Sequence, residues 1–208
     1  IFAGYIAKQM GLPIGQLIVA TNRNDILTRC IAKGEYRMEG VHPSLSPSMD
    51  IQISSNFERL LFDLYDRDSA AIALLMKNLR EQKGFALDEV RFHKLRKLFS
   101  SASVDDEATK ATIRIVKDEA DYVLDPHTAV GVAAAEMCAQ GNHETPLVVL
   151  STAHPAKFPA AVEAACGITP ALPLHMDGLM EARERFDVLD AGDEAAVRAF
   201  IQSHTAKG

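Results

Sequence analysis

The chain has 208 residues, a formal net charge of -6, and side chains that are 48% hydrophobic and 24% charged. This is the composition of an ordinary globular protein with one good core, and its acidic balance argues against nucleic acid or an anionic membrane as the main partner. No apolar run approaches the roughly 20 residues that span a bilayer, and Cys30, Cys138 and Cys166, far apart and without a CxxC pair, read as reduced structural thiols of a cytoplasmic protein.

In chain order, apolar residues at 1, 2, 5, 6 and 10 form a helical stripe. Ile1 has no initiator Met and no capping residue ahead of it, so the chain is expected to be a fragment of a larger one. Gly11-Leu12-Pro13 makes a turn, Leu17 to Ala20 a buried strand, and about Asn24 to Ala32 a helix stopped by Gly34. Glu35 to Asp50, with Pro43 and Pro47, reads mainly as loop, and Ile51 to Ile53 as a short extended piece. Asn56 is expected to cap a helix over 57–64, with further helices at 69–82 and 87–99. This charged stretch, about 55–120, reads as an accessory helical insertion. Its basic run from Arg91 to Lys97 reads as a solvated helix face.

Asp105-Asp106-Glu107 gives an acidic first turn to a helix that continues to Glu119. Tyr122 to Leu124 is expected as a strand, and Asp125-Pro126-His127 as the cap of the next helix. The run Pro146 to Thr152, almost purely Leu and Val at its centre, reads as a strand covered on both faces, and a helix follows from near Pro155 to Cys166. Ala171 to Asp190 is irregular, and Asp193 to Ser203 is amphipathic. Alternating helices and strands predict an α/β fold with an open, mostly parallel sheet flanked by helices.

Three polar junctions, Thr21-Asn22, Asp125 to Thr128 and Ser151 to His154, would lie at one edge of such a sheet, where open α/β folds bind ligands. They can line a crevice for a small anionic or aromatic ligand, or each can simply cap a helix. The seven histidines fit no zinc spacing, and GxSxG, GxxxxGK[ST] and GxGxxG are all absent. No metal site is expected.

Ser151-Thr152-Ala153-His154-Pro155-Ala156-Lys157-Phe158 resembles the TAHPAKF signature of threonine synthases, pyridoxal-phosphate enzymes of the tryptophan-synthase-β fold type (fold type II). Ala20 to Asp25 resembles the family's ATNxND segment, Ser44 to Ile51 its TLSxAMDI segment, Ser55 to Arg59 its SNFER segment, and Asp125 to Gly131 its D/E-P-H-x-A-V segment, all in the family's order. Phe85 to Ser103 and the C-terminal tail resemble it weakly.

The resemblance implies the C-terminal portion of the large cofactor-binding α/β domain of an enzyme. That enzyme converts O-phospho-L-homoserine and water to L-threonine and phosphate, a carbon–oxygen lyase acting on phosphates in threonine biosynthesis. Its cofactor would be pyridoxal 5'-phosphate. The Schiff-base lysine and the loop that holds the cofactor phosphate would lie upstream, so no catalytic residue is expected in this chain, the upstream region is its implied partner, and the chain alone is expected to be inactive.

Thr152 is implied to face the pyridine nitrogen of the cofactor. Ser48, Met49 and Asp50 are implied to pass beside its ring, although Met49 also reads as packing and Asp50 as a cap or loop hydrogen-bonder. His127 and Thr128 stand near the same crevice, His127 as a phosphate contact or a first-turn cap, and His154 is a contact or a cap. The alternatives are a threonine-synthase-like phospho-lyase with a different product, and a non-enzymatic α/β module that binds a small ligand.

Overall fold

The structure, a computed structural model, describes residues 1–139, 146–190 and 192–205. Ile1–Ala171 and Leu172–Gly208 form separate compact units. The first unit runs α1 (Phe2–Gln9), β1 (Leu17–Thr21), α2 (Ile26–Lys33), β2 (Glu35–Arg37), α3 (Ser55–Leu64), α4 (Ser69–Gln82), β3 (Gly84–Ala86), α5 (Glu89–Leu98), β4 (Phe99–Ser103), α6 (Asp106–Ala120), α7 (Pro126–Ala139) and α8 (Pro159–Cys166). Short 3-10 turns occupy Pro47–Met49 and Pro155–Lys157. β1 and β4 pair in parallel, Leu17 opposite Phe99 and Thr21 opposite Ser103, and β2 pairs antiparallel with β3. Helices around a parallel pair make the chain α/β, as the sequence pattern predicts.

Side-chain chemistry marks the start of three helices and a glycine the end of a fourth. Asp68, Asp88 and Asp105 each accept hydrogen bonds from backbone N–H groups in the first turn of α4, α5 and α6, filling donors a helix start leaves open. Gly34, with φ of 78°, ends α2 in the left-handed conformation that costs glycine nothing.

The main core lies among α1 to α5 with β1 and β4. Tyr36 on β2 sits between Phe57 and Phe85, 5.1 Å from each ring centroid. Its hydroxyl accepts a hydrogen bond from the Ser54 N–H at 2.8 Å, so the polar end of a buried ring is satisfied. Gly84 passes so close to β2 that a Cβ there would fall 2.8 Å from the Tyr36 carbonyl oxygen. Two smaller clusters join α6, α7 and α8 and set α7 against the strands.

Several local expectations are corrected. β2, β3 and β4 were not anticipated, and β3 and β4 fall inside the stretch read as a helical insertion. β4 reads Phe-Ser-Ser-Ala-Ser, without a β-branched residue. Its strand form comes from the ladder with β1, and its small side chains let Ala102 pack with Val130 and Ala134 of α7. Asn56 lies within α3, where its Oδ1 accepts from Arg59 Nη1 at 2.7 Å, and the N-cap position is Ser54. Ile51–Ile53 and Tyr122–Leu124 form no strand.

The apolar run before Thr152 is not a strand either, and it is not covered: Val148 is 84% and Leu150 77% exposed. A strand requires a partner for its backbone groups, and this run has none among the described residues. The helix expected from Pro155 is divided at Phe158 into the 3-10 turn and α8.

The second unit is irregular apart from a 3-10 turn at Leu174–Met176 and α9 (Glu194–Thr205), which buries no residue. No helix among the described residues is long and apolar enough to cross a membrane.

Cys30 is fully buried in α2, and burial pushes its thiol up to about 12. A thiol that far from ionising is a poor nucleophile. In the native protein near pH 8, Cys30 is expected to react with a disulfide reagent much more slowly than the partly exposed Cys138 and Cys166, and at full rate in denaturant. The raised value also carries a sign. Stability from the protonated thiol is fully present below the unfolded value of 9.0 and is lost as pH rises towards about 12. Equal labelling rates for the three thiols in the native protein would contradict this placement.

Candidate functional site

At the carboxyl end of β1, the chain turns through Asn22 and Asn24, which are 1% and 2% exposed. Polar side chains buried so completely need partners, and both find them in the loop that carries Asp50. Asn22 Nδ2 donates to Asp50 Oδ1 at 2.6 Å and Asn24 Nδ2 to the same oxygen at 2.9 Å. Ser44 adds its hydroxyl to Oδ1 at 2.6 Å and its N–H to Oδ2 at 3.0 Å. Asn24 Oδ1 accepts from the His42 N–H at 2.8 Å. The loop is thus clasped onto the strand tip through one carboxylate. Met49 packs against the Val104, Val130 and Ala134 cluster, so its side chain faces apolar residues.

The next junction is the start of α7. Asp125, with a fully buried side chain, caps it. Its Oδ1 accepts from the His127 N–H at 2.9 Å and lies 3.0 Å from His127 Nδ1, and its Oδ2 accepts from the Thr128 hydroxyl. On the far side of the imidazole, the Ser48 N–H donates to Nε2 at 3.1 Å. A backbone N–H can only donate, so Nε2 is the acceptor and the imidazole proton sits on Nδ1, shared with Asp125. Both ring nitrogens are therefore engaged. The Phe158 ring lies 4.6 Å from the imidazole, centroid to centroid.

The third junction meets the second through the backbone. The Thr152 N–H donates to Thr128 Oγ1 at 3.1 Å. Thr152 itself is exposed, and its hydroxyl makes no hydrogen bond among the described residues. His154 caps the 3-10 turn, its Nδ1 accepting from the Ala156 N–H at 3.2 Å. The Lys157 ammonium lies 5.5 Å from the Phe158 ring centroid.

One hydrogen-bonded path therefore runs from Asn22 through Asp50 and the Ser48 turn to His127, Asp125, Thr128 and Thr152. The residues singled out in the sequence are brought together, except that His154 serves its own turn. The Asn22, Asn24, Ser44 and Ser46 clasp was not foreseen. Its signal was present in two pairs of short polar residues spaced by two, which point to one side of an extended chain. Among the described residues, no group of three acidic, His or Cys side chains is placed to hold a metal ion.

Comparison with known proteins gives this arrangement its relatives. Residues 128–201 match the family described as threonine synthase, C-terminal. A structure of pyridoxal-phosphate-bound threonine synthase from Brucella melitensis superposes with a TM-score of 0.90 at 49% identity, covering 98% of this chain and 43% of that one. The yeast threonine synthase structure gives a TM-score of 0.85 at 36% identity over 99% of this chain and 45% of that one. The fold is that of this pyridoxal-phosphate α/β class. In sequence, threonine synthase of Pseudomonas aeruginosa is 50% identical over the whole of this chain, which spans 44% of its length. Along its whole length the chain is similar to threonine synthases, and residues 128–201 are similar to their C-terminal part.

Proposed function

We propose that the chain is the C-terminal part of a threonine synthase that uses pyridoxal 5'-phosphate to convert O-phospho-L-homoserine and water to L-threonine and phosphate, as a lyase in the cytoplasm. It spans less than half the length of the relatives it matches, 44% of the P. aeruginosa enzyme. The Schiff-base lysine and the cofactor-phosphate loop are assigned to the remaining length. So is the cover for Val148 and Leu150, whose exposed apolar side chains suit contact with further chain.

The observation that carries the reading is Thr152. A hydroxyl without a partner among the described residues stands at a tip whose backbone is tied to Thr128 and, behind it, to a buried carboxylate. A neutral hydroxyl is a donor and an acceptor, so it fits a pyridine nitrogen in either protonation state. When bound, the cofactor supplies an electron sink for carbanions. Thr152 would orient the ring without forcing a proton onto it. Asp50 and His127 would keep the Ser48 turn in place beside it. No lysine here is given a covalent role; Lys157 lies over the Phe158 ring.

The test uses the full-length protein. Thr152→Ala is expected to weaken cofactor binding about 2- to 13-fold, the equivalent of one hydrogen bond of roughly 0.5–1.5 kcal/mol, and to lower turnover. Thr152→Asp places a charge that favours a protonated ring nitrogen, so the ratio of threonine to side products should shift. Unchanged cofactor affinity, spectra and product ratio in both variants would remove Thr152 from the ring nitrogen. Human threonine synthase-like 2 is also 38% identical over 92% of this chain, and product analysis tests whether the full-length protein forms threonine.

A further inference from the structure

We propose that His127 is a positioning residue that sets the substrate-side turn Pro47–Met49, acting through its unprotonated Nε2 on the Ser48 N–H. This rests on the reading of the site given above, in which that turn lies beside the cofactor ring on which the substrate reacts. The turn is an exposed piece of chain: Pro47 and Ser48 are both exposed. Such a piece is held only by what lies behind it. Two pins are present. One is the Asp50 carboxylate, fixed by Asn22 and Asn24 from the turn after β1. The other is His127, whose ring is only 8% exposed with its residue and is constrained on three sides.

Asp125 Oδ1, at 3.0 Å, takes the Nδ1 proton. The Phe158 ring packs beside the imidazole, tilted 50° to it with centroids 4.6 Å apart. The Ser48 N–H, at 3.1 Å, fills Nε2. A helix cap alone needs none of this, because Asp125 already caps α7 through the His127 and Thr128 N–H groups. The imidazole therefore adds a link between the α7 start and a loop 79 residues earlier in the chain. It is the same Asp125 that, through Thr128, holds the Thr152 backbone. Ser48 and Thr152 are thus indexed to one carboxylate, which fixes the spacing between two exposed hydroxyls. Preorganisation of this kind lowers the ordering cost of binding, so its loss should appear in substrate affinity before it appears in the rate of the bound complex.

Two substitutions separate the limbs. His127→Gln keeps an acceptor at about the reach of Nε2 and loses the donor to Asp125. His127→Asn keeps a donor at the Nδ1 position and cannot reach Ser48. In the full-length protein loaded with pyridoxal phosphate, His127→Asn is expected to raise KM for O-phospho-L-homoserine about 2- to 10-fold, as for one lost hydrogen bond, with a smaller change in kcat. His127→Gln is expected to recover most of that KM loss. Nitrogen-15 shifts of the wild-type protein without cofactor should show one imidazole carrying its proton on Nδ1.

If Asn and Gln raise KM equally, if neither does, or if kcat falls as much as KM rises, His127 is structural only and the proposal is wrong. If the variants do not fold, a wild-type spectrum with the proton on Nε2 overturns it, and one with the proton on Nδ1 supports it. Thr152→Ala measured alongside keeps the two readings apart. Unchanged cofactor affinity there defeats the Thr152 placement, while the Asn-against-Gln contrast still decides His127.

Discussion

Asp125→Ala is expected to destabilise the protein by about 3 kcal/mol, because several donors lose their acceptor at once in a place water does not reach. The carboxylate is fully buried and takes hydrogen bonds from the His127 N–H, His127 Nδ1 and the Thr128 hydroxyl. Removing it relieves the cost of burying a charge, which argues for a smaller effect. Against that, the orphaned groups cannot re-pair. His127 cannot shift its proton to Nε2 without opposing the Ser48 N–H, and the start of α7 loses its cap. α7 packs on both β1 and β4, so fraying its first turn also loosens the parallel pair. Asp125→Asn keeps one acceptor oxygen and presents an amide N–H₂ to a second donor, so about half the loss is expected. Urea unfolding of the two variants checks the order. Asp125→Ala within about 1 kcal/mol of wild type would mean that the carboxylate does not hold this junction, because several donors left unsatisfied at about 1–3 kcal/mol each should cost more.

The sequence was most legible where one local force dominates. Helices α4, α5 and α6 show their apolar spacing and an Asp at each N-cap, and their bounds lie within a few residues of expectation. It was least legible where a strand depends on its partner. Phe99 to Ser103 has poor intrinsic strand character and becomes β4 because β1 is there. Leu147 to Leu150 has strong strand character and forms none, because no ladder reaches it among the described residues. Both errors have the same cause: β structure is decided between segments that are distant in sequence, and propensity reports only one side of the pair.

The site divides in the same way. Thr152, His127 and Asp50 could be singled out because each ends or starts an element or stands in a family-like segment. Which of them faces outward could not. Met49 turns into the apolar cluster, while Thr152 remains at the surface. That division follows from hydrogen bonds spanning 24 to 79 residues, from Thr152 to Thr128 and from Ser48 to His127. Periodicity carries no information at that range.

Asp50→Ala is expected to release the loop from Met38 to Asp50 and to lower stability by about 2–4 kcal/mol, the sum expected when an ionised acceptor with several short hydrogen bonds is removed. Oδ1 accepts from the Ser44 hydroxyl and Asn22 Nδ2, each at 2.6 Å, and from Asn24 Nδ2 at 2.9 Å. Asn22 and Asn24 are almost wholly buried and cannot turn to solvent without moving the end of β1. Asn22 retains Ser44 Oγ at 2.7 Å and Ser46 Oγ at 3.1 Å, which limits the loss on its side. Asn24 keeps the His42 carbonyl at 2.8 Å and Asn22 Oδ1 at 3.1 Å for its amide nitrogen. Asp50→Asn is a sharper probe. With its oxygen towards the three donors, its N–H₂ must oppose the Ser44 N–H, which now meets Oδ2 at 3.0 Å. That variant should lose about 1–2 kcal/mol, one unsatisfied donor's worth. It should also speed amide exchange at Ser44 and His42 while leaving α4 unchanged. Urea unfolding with hydrogen exchange resolved along the chain measures both. Should the alanine variant unfold at the wild-type midpoint with the loop amides still protected, the clasp is not what holds the turn, and the burden of placing Ser48 falls on His127 alone.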